Sequence, residues 1–530
     1  MRRNTLPNSL CVPAAFAVLL LVGQVPALAQ TVLNAGVLTT PAARADDPKL
    51  CKGKTAPPTP VAWTPGAITA KPPPATSGTP RIEQLRGGKV IAVYTSFSDN
   101  VGCTYKNNGT DHIDPGPAAA SGCGPFTREY SYRLWEPHDV FVVYPAVYQG
   151  SSNNPWFGPE ADDSAAYAAG IFHVPNLVTV TGLAGAATRP VILLNTGASN
   201  NSLGQAAVYF SGGTGMVFEN IDVIATSGAS VGKSGVYING TTNLTISNVE
   251  VSGFEIANGP GQGGADGIFG TPNNAGFLLL DQVELDHNGG TNGPAHNAYI
   301  NASTVDPHFT VIMQNSWSHD AFYGHLFKSR AQSTTMTANY FEGGLPQPGY
   351  PQAEAYLLDV PNGGTLVARN NVFVKTMSGP DSNAISIVFG EEGFTDNRAQ
   401  SIDIENNTFV AYALTDDGSS KLFPMSFFTP AALPHSAGFP AGVRSQVLKN
   451  AFVGYCKTGQ ATQDYRGNIA VIEAFAELGG GYTLTTKVDS NEAELAATYP
   501  KYKPVAGTST YAHVAHPGAP RTVPTLGAFD

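Results

Sequence analysis

Charge is scarce in this chain: only 13% of its 530 residues are Asp, Glu, Lys or Arg, and long runs rich in Glu, Lys and Leu are missing. That excludes a mainly helical protein, because such runs are the usual filling of exposed helix faces. Basic residues are outnumbered 29 to 40, for a net charge of −11, which excludes a general nucleic-acid binder while leaving room for a local basic groove. A long apolar run is also missing. The stretch from Ala14 to Val22 is too short to span a bilayer, so no membrane anchor is expected. Preceded by Arg2 and Arg3 and followed by Ala27-Leu28-Ala29, it reads as an export signal over residues 1–29, cleaved before Gln30. A secreted, periplasmic or surface location follows as the expectation.

Cysteine is sparse too. Of the five, Cys11 leaves with the signal, and the even remainder, Cys51, Cys103, Cys123 and Cys456, suits an oxidising compartment. Cys103 and Cys123 bracket one Gly- and Asn-rich loop and are expected to pair, with Cys51 to Cys456 as the second bond. The spacing shows no zinc pattern.

What abounds is Gly, Asn, Thr, Ser and Val, the profile of a strand- and turn-rich protein. Residues 30–80, with PPTP and KPPP, read as a Pro/Ala-rich extended segment. KVIAVY (from Lys89) and HDVFVVYPAVY (from His138) read as buried strands. Asp162 to Phe172 reads as one short helix, with Asp162 and Asp163 at its N-terminus.

The main body repeats. Two or three alternating apolar residues are followed by Asn and then an apolar or aromatic residue, around Asn220, Asn248, Asp281, Asn315, Asn339, Asn371, Asn407 and Asn450. The interval varies over ~24 to 43 residues, inside the range of repeat architectures. Stacked coils of short strands explain both features, since alternate residues enter a narrow core and loops leave the stack sideways. An inward Asn at each bend would bond its neighbours above and below. A β-sandwich would show paired hairpins instead. The expected fold is all-β, a right-handed parallel β-helix over residues 81–460 with inserted loops, irregular flanking segments, and a C-terminal cap over residues 461–530. A monomer is expected.

One stretch is dense in chemistry: His296 to Arg330 holds Tyr299, Asp306, His308, His319, Asp320, Tyr323, His325 and Lys328 as well. Lys328 and Arg330 lie two apart, so a strand puts both on one face. If neighbouring runs stack, His296, Tyr299, Lys328 and Arg330 meet over one patch.

The runs HNAYI, GHLFKSRA (Gly324 to Ala331), YLLDVPNGGTLVARNNV and FGEEG (Phe389 to Gly393), with the ending PTLGAFD, resemble secreted bacterial parallel β-helix repeat proteins of the pectin-lyase-like superfamily. The likeness is general from Leu177 to Asp530 and specific from Asp266 to Gly393. It implies the β-helix fold and an acidic polysaccharide as partner. It also implies an enzyme of the polysaccharide-lyase, glycoside-hydrolase or uronate-epimerase kind, or a non-catalytic adhesin. β-Elimination comes first among these. Arg330 would hold a uronate carboxylate, Lys328 with a lowered pKa would be the base, and Tyr299 or His296 would complete the proton transfers. His325, Tyr323, Tyr356 and Asp359 are expected to bind substrate, and Glu391 and Glu392 to ligate calcium or pair with Arg330. Asp306-Pro307-His308 resembles the DPH run of mannuronan epimerases, with Phe309 where an acidic residue is usual. Asp266, Asp359, Glu391 and Glu392 could supply a hydrolase pair, and His296, His319 and His325 a zinc site. GPGQGGADG (Gly259 to Gly267) reads as a loop over the site, not a phosphate cradle. The rival reading is a carbohydrate-binding or scaffold protein with the same groove and no turnover.

Overall fold

The computed structural model describes residues 72–94, 136–149, 176–194, 206–225, 234–256, 265–290, 295–322, 324–343, 355–375, 385–393, 400–405, 407–411, 425–427, 444–448, 451–453, 469–470 and 482–484. Cys51, Cys103, Cys123 and Cys456, with both expected disulfides, and the expected helix from Asp162 to Phe172 lie outside them.

Among the described residues the regular structure is all strand, arranged as a parallel β-solenoid. Each coil contributes a short strand to one sheet, a longer strand to a second and a short strand to a third. One coil, for example, is made of Ala298–Ile300, Thr310–Gln314 and Trp317–His319. The next coil pairs with it in parallel through Phe327–Ser329, Ser333–Thr337 and Tyr340–Glu342. Alternation along the longer strands explains the core. In Thr310–Gln314, Val311 and Met313 are fully buried while Thr310, Ile312 and Gln314 are partly exposed.

Stacking turns each inward position into a ladder. Phe341, Phe373 and Phe409 lie one above another, with near-parallel rings 5.0 and 4.9 Å apart. Each buried ring contributes about 1.5–3 kcal/mol of transfer free energy.

Among the described residues, antiparallel pairing is confined to the ends. Ile82–Arg86 pairs antiparallel with both Lys89–Tyr94 and Val140–Val143, so parallel stacking begins at Val140–Val143 with Thr179–Gly182. Within the C-terminal segment, Ile469–Ala470 pairs antiparallel with Met425–Phe427, and Tyr482–Leu484 pairs parallel with Arg444–Leu448. The expectation for HDVFVVYPAVY holds, with Phe141 and Tyr148 fully buried. KVIAVY differs: Val90 is 51% and Ile91 49% exposed. It is the outermost strand of its sheet, so its faces are not both covered.

The asparagines divide into two adjacent registers rather than one. At the two-residue corner between the second and third sheets, the first residue takes the left-handed conformation: Asn220, Asn248, Gln282, Asn315, Ala338 and Asn370, with φ from 50° to 60°. Asn tolerates that region better than most residues. Here Asn248 Nδ2 donates to Asn220 Oδ1 at 2.6 Å. Asp281 ends the strand before its corner and accepts from Asn315 Nδ2 at 2.9 Å.

The second corner residue points inward. It is Ile221, Val249 and Val283 in the earlier coils, all fully buried, then Ser316, Asn339, Asn371 and Asn407. These polar residues form the expected ladder: Asn339 Nδ2 donates to Asn371 Oδ1 at 3.1 Å, and Asn371 Nδ2 to Asn407 Oδ1 at 2.9 Å. Asn450 lies outside the described residues.

Candidate functional site

The three-residue strands of the first sheet bury their outer pair of residues and turn the middle one away from the core. Register stacks those middle residues as Tyr237, Phe269, Tyr299, Lys328 and Asp359, and the next position, Val388, is fully buried in the hydrophobic core. The row changes from aromatic to charged between Tyr299 and Lys328. Ring centroids are 5.3 Å apart for Tyr237 and Phe269 and 5.5 Å for Phe269 and Tyr299.

A second row stands three residues earlier in each coil: Asp266, His296, His325 and Tyr356. Their hydrogen bonds run coil to coil. The His296 N–H donates to Asp266 Oδ1 at 2.7 Å, the His325 N–H to His296 Nδ1 at 2.8 Å, and the Tyr356 N–H to His325 Nδ1 at 3.2 Å. The rings stack, His296 on His325 at 4.6 Å and His325 on Tyr356 at 5.0 Å. Gly324 permits this approach, since a Cβ there would stand 1.9 Å from the Ala295 carbonyl oxygen and 2.5 Å from His296 Nδ1.

These bonds settle histidine chemistry. A backbone N–H can only donate, so each Nδ1 is an acceptor and each neutral ring carries its proton on Nε2. Burial, then the positive charge of Lys328 and Arg330, holds His296 well below the usual histidine range. Burial and the neighbouring cationic groups do the same for His325. Neither ring in this state offers a free basic nitrogen, so His296 could complete the proton transfers only as an Nε2–H donor.

The cations gather beside Tyr299. Arg330 Nε donates to the Tyr299 phenol oxygen at 2.8 Å, and its other nitrogens reach Asn362 Oδ1 and Glu392 Oε2, both at 2.5 Å. Lys328 Nζ lies 2.9 Å from Glu392 Oε1 and 3.0 Å from Asp359 Oδ2. His325 Nε2 stands 3.4 Å from the same Asp359 oxygen.

Burial lowers the Lys328 pKa, but Asp359 and Glu392 outweigh it, and the net shift is upward. This reverses the expectation of a lysine base: Arg330 is adjacent, yet two carboxylates are closer. Burial also pushes Asp359 up to about 7, against the pull of Lys328. Glu392 is lowered overall, because Lys328 and Arg330 overcome its desolvation.

His296, Tyr299, Lys328, Arg330, His325, Tyr356 and Asp359 therefore converge, with Glu392 joining from a later coil. Tyr323 lies outside the described residues. Tyr356 is half-buried and stacked on His325 rather than standing free. His319 sits on the third sheet, apart from the other two histidines of the proposed zinc set. Among the described residues no group of three or more His, Cys, Asp or Glu is placed to hold a metal ion. Both Glu392 oxygens face cations, which places this residue as the expected partner of Arg330. Asp306 caps its own loop, accepting from the Gly276 and His308 N–H groups at 2.7 and 2.8 Å. The DPH run thus closes a turn.

Asn362 was missed by sequence reasoning. Its signal was weak, a turn residue three after Asp359. A second polar cluster on the third sheet was missed as well: buried Arg189 pairs with Asp222 at 2.9 Å, and His319 is held between Asp320 at 2.7 Å and Glu284 at 3.5 Å.

Asp266 offers a direct test of this electrostatic picture. Burial raises its carboxyl to about 8, although the His296 N–H favours ionisation. A raised folded-state pKa means stability that is full below the unfolded value, near 4, and lost as pH rises through 8. Asp266→Asn keeps the acceptor for His296 and removes the titration. It is expected to match the parent near pH 4 and to exceed it by on the order of 4 kcal/mol at pH 7. Urea unfolding at both pH values checks this; equal stability at pH 7 would refute a buried neutral carboxyl.

No known family model, curated protein or solved structure matches this chain.

Proposed function

We propose that this face of the solenoid binds a uronate-containing polysaccharide and cleaves it by β-elimination. The observation that carries the reading is the Arg330–Tyr299 hydrogen bond beside Lys328, with both cations sharing one carboxylate. Two cations around one carboxylate are what neutralising a uronate requires. Neutralisation acidifies the proton on the neighbouring carbon.

With the histidines capped at Nδ1 and Lys328 held as an ammonium, removal of the C5 proton falls to Tyr299. Acting as the phenolate, its oxygen takes the proton from C5 while Lys328 and Arg330 stabilise the charge that develops on the uronate carboxylate. The electron pair forms the C4–C5 double bond, the C4–O bond breaks, and the departing glycosidic oxygen takes the proton now on the Tyr299 oxygen, which restores the phenolate. The aromatic row of Tyr237 and Phe269 continues from Tyr299 along the sheet and offers stacking faces for adjoining sugars. Export places the protein where such polymers occur.

The closed ion pairs of Lys328 favour a second reading, a binding protein without turnover. Incubation with a panel of uronate polymers separates the two. A rise in ultraviolet absorbance from unsaturated product is expected with at least one polymer. Retardation in affinity electrophoresis with no such rise would replace the lyase by the binding reading.

A further inference from the structure

We infer that Glu392 is an internal competitor for the substrate carboxylate, a specificity-determining residue that occupies the uronate subsite in the free protein. The inference rests on the carboxylate-binding reading above and adds what the free site contains.

Glu392 comes from the turn after Ile387–Phe389, 64 residues from Lys328 in sequence. That turn is docked by backbone bonds, the Glu392 N–H to the Pro361 carbonyl at 3.0 Å and the Gly393 N–H to the Gly390 carbonyl at 3.1 Å. Gly390 and Gly393 hold φ of 82° and 92°, which a side chain would resist. The backbone of the turn is thereby anchored while its side chain reaches over the cations.

One oxygen meets Lys328 and the other Arg330, so a single carboxylate spans both. The cations' remaining partners differ in kind. Asp359 is fully buried and cannot leave, and Asn362 offers an uncharged amide oxygen. Glu392 is the exposed member, with its side chain 38% accessible. It can rotate into solvent without uncovering the core, and its withdrawal would take one carboxylate contact away from each cation. A hexuronate carboxylate fits the position it leaves. Neutral sugars gain nothing from displacing it, so the residue filters for anionic ligands.

The test titrates the full chain with D-galacturonate and, as control, D-galactose by calorimetry, comparing the parent with Glu392→Gln and Glu392→Ala. Removing one charged competitor is expected to tighten galacturonate binding by about 10- to 100-fold, with galactose unchanged. Glutamine retains the shape of the side chain, and matching thermal unfolding shows that each variant is folded.

Equal affinity in parent and variants overturns the inference. So does weaker binding, which would make Glu392 a ligand contact, and so does absence of galacturonate binding by all three. Failure of the lyase reading looks different: galacturonate tightens in the variants while no polymer yields unsaturated product. If polymers are cleaved but galacturonate affinity is unchanged by the substitutions, elimination stands and the competitor falls.

Discussion

Lys328→Ala is expected to abolish formation of unsaturated product, a loss of at least about 10²-fold, because it removes a preorganised charge at the reacting carboxylate. The same change should also cost stability. Asp359 is fully buried 3.0 Å from the ammonium. Removing one partner of a buried pair costs roughly 3–5 kcal/mol when the other stays charged. The cost is largest above pH 7 and shrinks in acid, since the Asp359 carboxyl, already raised to about 7 beside Lys328, takes up a proton.

The double variant Lys328→Ala/Asp359→Asn separates the two effects. It should recover stability and remain inactive, a coupling that a double-mutant cycle measures. Arg330→Lys is expected to fail as well, because one ammonium cannot reach Tyr299, Asn362 and Glu392 in the directions a planar fork serves. Normal product formation by the double variant would remove Lys328 from the mechanism.

Asn371→Ala should be among the most destabilising single changes in the described coils. Its Oδ1 accepts from the backbone N–H of Asn339 at 2.9 Å and from Asn339 Nδ2 at 3.1 Å. Its Nδ2 donates to the Met336 carbonyl and to Asn407 Oδ1, both at 2.9 Å. Asn339 Nδ2 and Asn407 Oδ1 keep other partners, so alanine strands two buried groups at about 1–3 kcal/mol each, for a total on the order of 2–6 kcal/mol. Asn248→Ala, at the left-handed corner position, should cost only about 1–2 kcal/mol, the backbone penalty of that conformation with a Cβ lacking local hydrogen bonds. Denaturant unfolding of both variants decides the matter. An Asn371→Ala midpoint equal to that of Asn248→Ala would show that the inward ladder bears no special load.

The contrast between those two asparagines shows where sequence reasoning stopped. Asn248 and Asn371 follow similar apolar runs, yet one occupies the outward left-handed corner and the other the inward position one residue later. Pairing register separates them, and register is a property of neighbouring coils. Loops of variable length between strands hide it from the spacing of markers along the chain. The exposed KVIAVY strand teaches the same point, because apolar content alone does not tell a central strand from an outermost one.

The patch itself was largely legible. Lys328 and Arg330 two apart, and His296, Tyr299, His325 and Lys328 at matching offsets, converge as strand periodicity and stacking require. Side-chain alternation is local, so the sequence by itself determined the β-solenoid and the gathering of this row. The charge state of the row was not local. Lys328 is held as an ammonium by Asp359 from the next coil and Glu392 from the coil beyond, and both histidines are capped by backbone N–H groups of the coil that follows. Those partners come from the stacking of coils distant in sequence. Electrostatic energy depends on distance and desolvation, and both are set by which coil stacks on which.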